Sequence, residues 1–128
     1  MAKRIFIVDD SRVVRQLLRT HLENNIQDLV CAEAVDGVEA VQGAAEFGPD
    51  VIVLDLSMPR MNGLEVAEIL HRKLPSVPII LYTLHTDVVN KAVVKKSGIR
   101  ALVSKTDPFE VLLGEIQGCT ETGRSMSA

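Results

Sequence analysis

Residues 51–55 read Val-Ile-Val-Leu-Asp, four consecutive apolar residues that stop on a carboxylate. A strand covered on one face alternates apolar and polar residues, whereas a strand covered on both faces is apolar throughout, as in parallel sheets flanked by helices. The same form opens the chain at Arg4-Ile-Phe-Ile-Val8, ahead of Asp9-Asp10, and returns at Pro78-Ile-Ile-Leu-Tyr82, ahead of Thr83. Residues 29–34 and 101–103 complete five strand candidates, the last followed by Ser104-Lys105.

Between these runs the apolar residues change period. Val14, Leu17, Leu18 and Leu22 recur at helical spacing, as do Val38, Val41 and Ala45, then Val66, Ile69 and Leu70, and finally Phe109, Leu112, Leu113 and Ile116. Asp36, Asn62-Gly63, Thr86 and Asp107-Pro108 stand where helices begin, and Gly48-Pro49 and Ser97-Gly98 where they end. The order is βαβαβαβαβα, an α/β chain with a doubly wound, five-stranded parallel sheet and five helices on its two faces. In such sheets ligands collect beyond the carboxyl ends of the strands, where strand order reverses.

The 128 residues carry 14 basic and 17 acidic side chains, a net charge of −3, with 47% apolar residues. A chain of this length buries roughly two-thirds of its unfolded surface in one core, and we expect one domain over residues 1–119 with a flexible polar tail over 120–128. No apolar run approaches the ~18 residues of a membrane helix, and four apolar residues before Asp9 are too few for a signal peptide. The expected location is therefore the cytoplasm, without membrane contact. The acidic balance disfavours direct nucleic-acid binding. Cys31 and Cys119 lie in no metal-ligand spacing and read as structural.

Three carboxylates (Asp9, Asp10, Asp55), a hydroxyl (Thr83) and an ammonium (Lys105) thus converge on one sheet edge. Polar loops and helix caps explain any one of them but not all five together. Clustered carboxylates repel unless a cation neutralises them, and hard oxygens without His or Cys favour Mg2+ or Mn2+. Lys105 supplies a point charge for a phosphoryl oxygen and Thr83 a donor for another. Neither glycine-rich nucleotide cradle occurs, which leaves a carboxylate as phosphate acceptor. Asp55 is the natural nucleophile, with Asp9 and Asp10 placed to hold the metal.

Val8-Asp9-Asp10-Ser11, Val53-Leu54-Asp55-Leu56-Ser57-Met58-Pro59 with Asn62-Gly63, Thr83 after the fourth strand and Lys105 after the fifth together resemble the receiver domain of two-component response regulators. The resemblance spans essentially the whole chain and implies the flavodoxin-like strand order 2-1-3-4-5. It implies that Asp55 takes a phosphoryl group from a histidine kinase, phosphotransfer protein or small phosphodonor. It further implies that Asp9, Asp10, Asp55 and the Ser57 carbonyl hold Mg2+, and that Thr83 and Lys105 contact the phosphoryl oxygens. Output would follow from a shift of the face built from the helix after strand four, strand five and the last helix. The protein would then be a switch rather than an enzyme acting on other molecules, and such domains can dimerise when phosphorylated.

Several positions depart from the family pattern. Leu102 stands where an aromatic switch residue is usual, Leu84 follows Thr83 where a small residue is common, and Thr106 replaces the proline often found after Lys105. That last feature is similar to receivers joined to LuxR-like output domains, so a stand-alone receiver and a fragment of a longer regulator are both expected forms. His85, two residues after Thr83, and Ser57, two after Asp55, occupy positions that tune acyl-phosphate hydrolysis. Lys91, Lys95, Lys96 and Arg100 form a basic rim suited either to solvent or to an acidic protein partner. A phosphatase of the haloacid dehalogenase type would need a second acid at position 57, which is Ser57. The remaining alternative is a receiver-like interaction module that is never phosphorylated.

Overall fold

The computed structural model describes residues 2–58, 61–86, 89, 92, 94 and 97–127, without the side chains of 121–127. Its elements are β1 (Lys3–Val8), α1 (Arg12–Asn25), β2 (Leu29–Ala34), α2 (Gly37–Phe47), β3 (Val51–Leu54), α3 (Gly63–Lys73), β4 (Ile79–Thr83), β5 (Ile99–Ser104) and α4 (Phe109–Ser127). The sheet order is β2-β1-β3-β4-β5, with every pairing parallel. This is the expected flavodoxin-like arrangement, with four helices among the described residues rather than five. The further helix expected between β4 and β5 falls on a stretch where Asp87, Val88, Asn90, Lys91, Val93, Lys95 and Lys96 lie outside the described residues. Helical backbone runs on through 120–127, the stretch set apart above as a tail.

The continuous apolar strands divide their residues between two cores by the period of the pleat. Phe6, Val8, Ile52, Leu54, Ile79 and Leu81 meet Ala40 and Ala44 of α2 and Val66, Ala67 and Leu70 of α3. Ile5, Ile7, Val51, Val53, Ile80 and Val103 meet Leu18 and Leu22 of α1 and Leu112 and Ile116 of α4. β5 starts two residues earlier than its apolar run suggests. A register shift against β4, where Ile79 faces Ile99 but Ile80 faces Ala101, bulges the strand at exposed Arg100 and breaks the pattern that marks a strand.

The helix starts follow their cap residues. Asp36 accepts from the Glu39 N–H and Asn62 from the Glu65 N–H, each a side chain filling a donor that the first turn leaves open. Gly48 ends α2 with φ +68°, in the left-handed region that glycine enters without strain. At the other end of the sheet, Arg4 donates from Nε and Nη2 to the Phe47 carbonyl at 3.0 and 2.7 Å and lies over the Phe47 ring, tying α2 to β1.

Gly63 matters for the site. A Cβ there would lie 2.4 Å from the Asp55 carbonyl oxygen and 2.7 Å from Leu56 Cα, both backbone atoms. The first turn of α3 can rest on the end of β3 only because residue 63 has no side chain. Gly63→Ala should cost about 1–3 kcal/mol, the range for overpacking. Gly114→Ala, where a Cβ in α4 meets nothing within 4 Å, should gain roughly 0.5–1 kcal/mol. Urea denaturation of both variants checks the contrast, and equal effects would contradict it.

Candidate functional site

Strand order reverses between β1 and β3, and the crevice that opens beyond their carboxyl ends lies between Asp9 and Asp55. The ladder carries on one residue past the strands: the Asp9 N–H donates to the Ala34 carbonyl at 3.1 Å, and the Asp55 N–H to the Val8 carbonyl at 2.9 Å. Asp9 falls two residues after Ile7, Asp55 two after Val53 and Lys105 two after Val103, so all three continue the pleat on the α1–α4 side. Their charges meet there. Lys105 Nζ donates to Asp9 Oδ2 at 2.7 Å and stands 3.5 Å from Asp55 Oδ2.

Asp9 and Asp55 are buried, at 2% and 5% exposure, while Asp10 is exposed. Each of the three offers a carboxylate oxygen, and these atoms all lie within 4.8 Å of one another. Burial pushes the Asp55 carboxyl above its ordinary range, and the neighbouring Asp9 charge adds to this; Lys105 and the Ser57 backbone N–H pull it back only in part. Burial alone would lower Lys105, but its hydrogen bond to Asp9 and the charges of Asp9 and Asp55 outweigh that and hold it protonated. An all-oxygen set with excess negative charge, one member open to solvent, fits a hard divalent cation that keeps waters.

Thr83 ends β4 fully buried, on the opposite pleat phase from Lys105. Its Oγ1 accepts from the His85 N–H at 3.2 Å, which leaves the hydroxyl proton free for donation, and its carbonyl accepts from the Lys105 N–H at 2.9 Å. Leu84 is 60% exposed beside it, and His85 and Ser57 are exposed as well. Leu102 pairs with Leu81, half-buried against the core that also receives Val89 and Val94. Tyr82 is half-buried in the other core, its phenol pushed up by burial. Cys31 and Cys119 are free thiols that burial pushes away from the thiolate.

Three supports were not legible in the sequence. The Ser11 hydroxyl caps α1 by accepting from Val14, and its own N–H holds Asp9 Oδ1 at 2.8 Å. Arg15 Nη1 donates to the Asp9 carbonyl, and Glu33 fixes Arg15. A cap could have been sought in Asp-Asp-Ser, but no local pattern points Arg15 inward.

A family model for the response regulator receiver domain matches residues 5–117, and the chain belongs to that family. The chain is 38% identical over 92 residues to a protein-glutamate methylesterase/protein-glutamine glutaminase of Pyrococcus abyssi, a match covering 72% of this chain and 25% of that protein. It is 36% identical over 117 residues to response regulator MprA of Mycobacterium ulcerans, covering 91% of this chain and 50% of that protein. The chain therefore spans between a quarter and half the length of these relatives. Among solved structures, response regulator TrrA of Thermotoga maritima, in complex with Mg2+ and BeF, superposes with a TM-score of 0.83 at 28% identity, covering 91% of this chain and 98% of that one. The response regulator domain of Thermotoga maritima CheB gives 0.82 at 27%, covering 93% and 96%. The family is one of signalling switches, and among the described residues no helix is long and apolar enough to cross a membrane.

The raised Asp55 pKa has a thermodynamic consequence. Its contribution to stability is full below the pKa of an unfolded aspartate and is lost as pH rises through the higher folded value, so at pH 7 the ionised group is a cost. Asp55→Asn in EDTA at pH 7 should therefore melt higher, by about 4 °C if on the order of 1 kcal/mol is relieved. Mg2+ should raise the wild-type Tm and leave the variant nearly unmoved, as differential scanning calorimetry would show. A lower melting point for the variant in EDTA would refute the reading.

Proposed function

We propose that Asp55 is the phosphoacceptor of a Mg2+-dependent receiver switch contained in residues 1–119. The observation that carries this is the meeting of buried Asp55 with Asp9, Asp10 and Lys105 at one strand edge. Asp9, Asp10, Asp55 and the Ser57 main chain would hold the metal, which when bound supplies charge neutralisation for an incoming phosphoryl group. Mn2+ has the same ligand preference and would substitute. Asp55 Oδ attacks phosphorus in line, the donor's leaving group departs with its bonding electrons, and an acyl phosphate remains. Lys105 then faces the phosphoryl oxygens, and the Thr83 hydroxyl turns its proton toward another.

The donor is a histidine kinase, a phosphotransfer protein or a small acyl phosphate. Movement of Thr83 toward the phosphoryl group would draw on the segment that follows it, and Leu102, packed on the same core as Val89 and Val94, would carry the change to β5 and α4. Leucine lacks the hydroxyl of the usual aromatic residue, so displacement of that segment is the main signal. Its reader is a protein partner or an attached output domain, and self-association on phosphorylation is a second outlet. The basic rim proposed for an acidic partner rests on Lys91, Lys95 and Lys96, which lie outside the described residues, together with exposed Arg100 on β5.

Incubation with acetyl phosphate and Mg2+ should add one phosphoryl group by intact mass, with none on Asp55→Asn and none with EDTA. Lys105→Met should slow uptake by about 100-fold or more, as loss of one charged contact to a transferring group does. Failure of the wild type to gain mass would leave a receiver-like interaction module instead. Leu84 and His85, exposed and directly following Thr83, would govern how water reaches the acceptor. His85→Ala and Leu84→Ala should therefore change the phosphoryl half-life measured by the same mass assay, and unchanged half-lives would remove both from that role.

A further inference from the structure

The carboxylate of Asp9 is held at both oxygens, by the Ser11 N–H at 2.8 Å and by Lys105 Nζ at 2.7 Å. The direction of Asp10 has a different origin. Asp10 is exposed, and its side chain is aimed by the peptide that joins it to Asp9, whose oxygen is the Asp9 carbonyl. That oxygen accepts from Arg15 Nη1 at 2.8 Å. Arg15 lies one turn into α1, its side chain only 11% exposed, and its Nε donates to Glu33 Oε1 at 2.8 Å. Glu33 sits on β2 opposite Ile7, on the α1 side, and its other oxygen is taken by Arg19 Nη2 at 2.7 Å. A guanidinium held by a carboxylate that is itself held from both sides forms a rigid strut from β2 to the peptide between the first two acidic residues.

We propose that Arg15, fixed by Glu33, is a positioning residue for the divalent cation: it sets the Asp9–Asp10 peptide plane and so the approach of Asp10 to Asp9 and Asp55. The proposal rests on the metal-site reading above and adds to it a residue outside the carboxylate cluster. Its planar fork is what the geometry uses, since one nitrogen faces the carbonyl while another faces Glu33. A lysine, with all its donors on one rotatable ammonium, does not fix the angle between these acceptors.

Field and geometry make opposite predictions here, which gives the test its sign. Removing a positive charge near three carboxylates while Glu33 stays would make the pocket more negative and tighten Mg2+ binding if charge alone mattered. Loss of the strut loosens Asp10 and weakens binding. Isothermal titration of the metal-free protein with MgCl2 should show Arg15→Gln binding about tenfold or more weaker than wild type, the scale on which residues that orient metal ligands act. Arg15→Lys, which keeps the charge, should fall between the two. Circular dichroism establishes that each variant is folded before titration. If Arg15→Gln does not fold, Arg15→Lys decides: weaker binding supports the strut and wild-type binding overturns it. Unchanged or tighter binding in folded Arg15→Gln overturns this proposal alone, whereas a wild type that takes up no Mg2+ overturns the metal-site reading and the strut with it.

Discussion

Two buried carboxylates facing one another across a sheet crevice are the constraint on which the rest of the structure depends. Carboxylates brought together at that depth repel one another and call for a counter-charge. In the folded chain part of it comes from Lys105, which reaches Asp9 at 2.7 Å and Asp55 at 3.5 Å from the end of β5. One ammonium against two buried carboxylates and exposed Asp10 leaves the edge negative. The raised Asp55 carboxyl is the sign of that imbalance. A site left short of positive charge fits a divalent cation, the first requirement of the switch proposed above.

The scaffold delivers these groups through pleat phase. Ile5, Ile7 and Asp9 form one series, Val51, Val53 and Asp55 a second, and Val103 and Lys105 a third, all on the side covered by α1 and α4. Thr83 continues the opposite series after Ile79 and Leu81, on the side of α2 and α3. The Asp55 carboxylate thus stands at an edge where a charged wall is anchored to one core and a hydroxyl to the other. A displacement of Thr83 would be felt by the core containing Leu102, while Lys105 reports to the core containing Tyr82 and Leu112.

Much of this was legible in the residues. Continuous apolarity in Val51–Leu54 and Ile5–Val8 is enough for a parallel sheet, and the rule that ligands gather beyond strand ends points to Asp9, Asp10, Asp55, Thr83 and Lys105 from the sequence alone. The bulge at Arg100 was not legible, because an exposed charged residue inserted into the strand removes the periodicity by which a strand is recognised. Neither were Arg15 and Glu33. A basic residue on an amphipathic helix normally faces solvent, and only the placement of α1 over β2 turns Arg15 toward the Asp9 carbonyl. Gly63 was readable as a helix start but not as the point where α3 touches the Asp55 backbone, since that contact exists only once β3 and α3 are packed.

The most direct measurement is site-resolved. Mn2+ added in small amounts to the isotopically labelled protein broadens the amide signals within reach of its bound position. A single cation pocket at the sheet edge predicts that the signals of Asp9, Asp10, Asp55, Ser57, Thr83 and Lys105 are lost first, in the wild type and not in Asp55→Asn. Broadening spread evenly over the surface, or centred away from the ends of β1 and β3, would contradict the account.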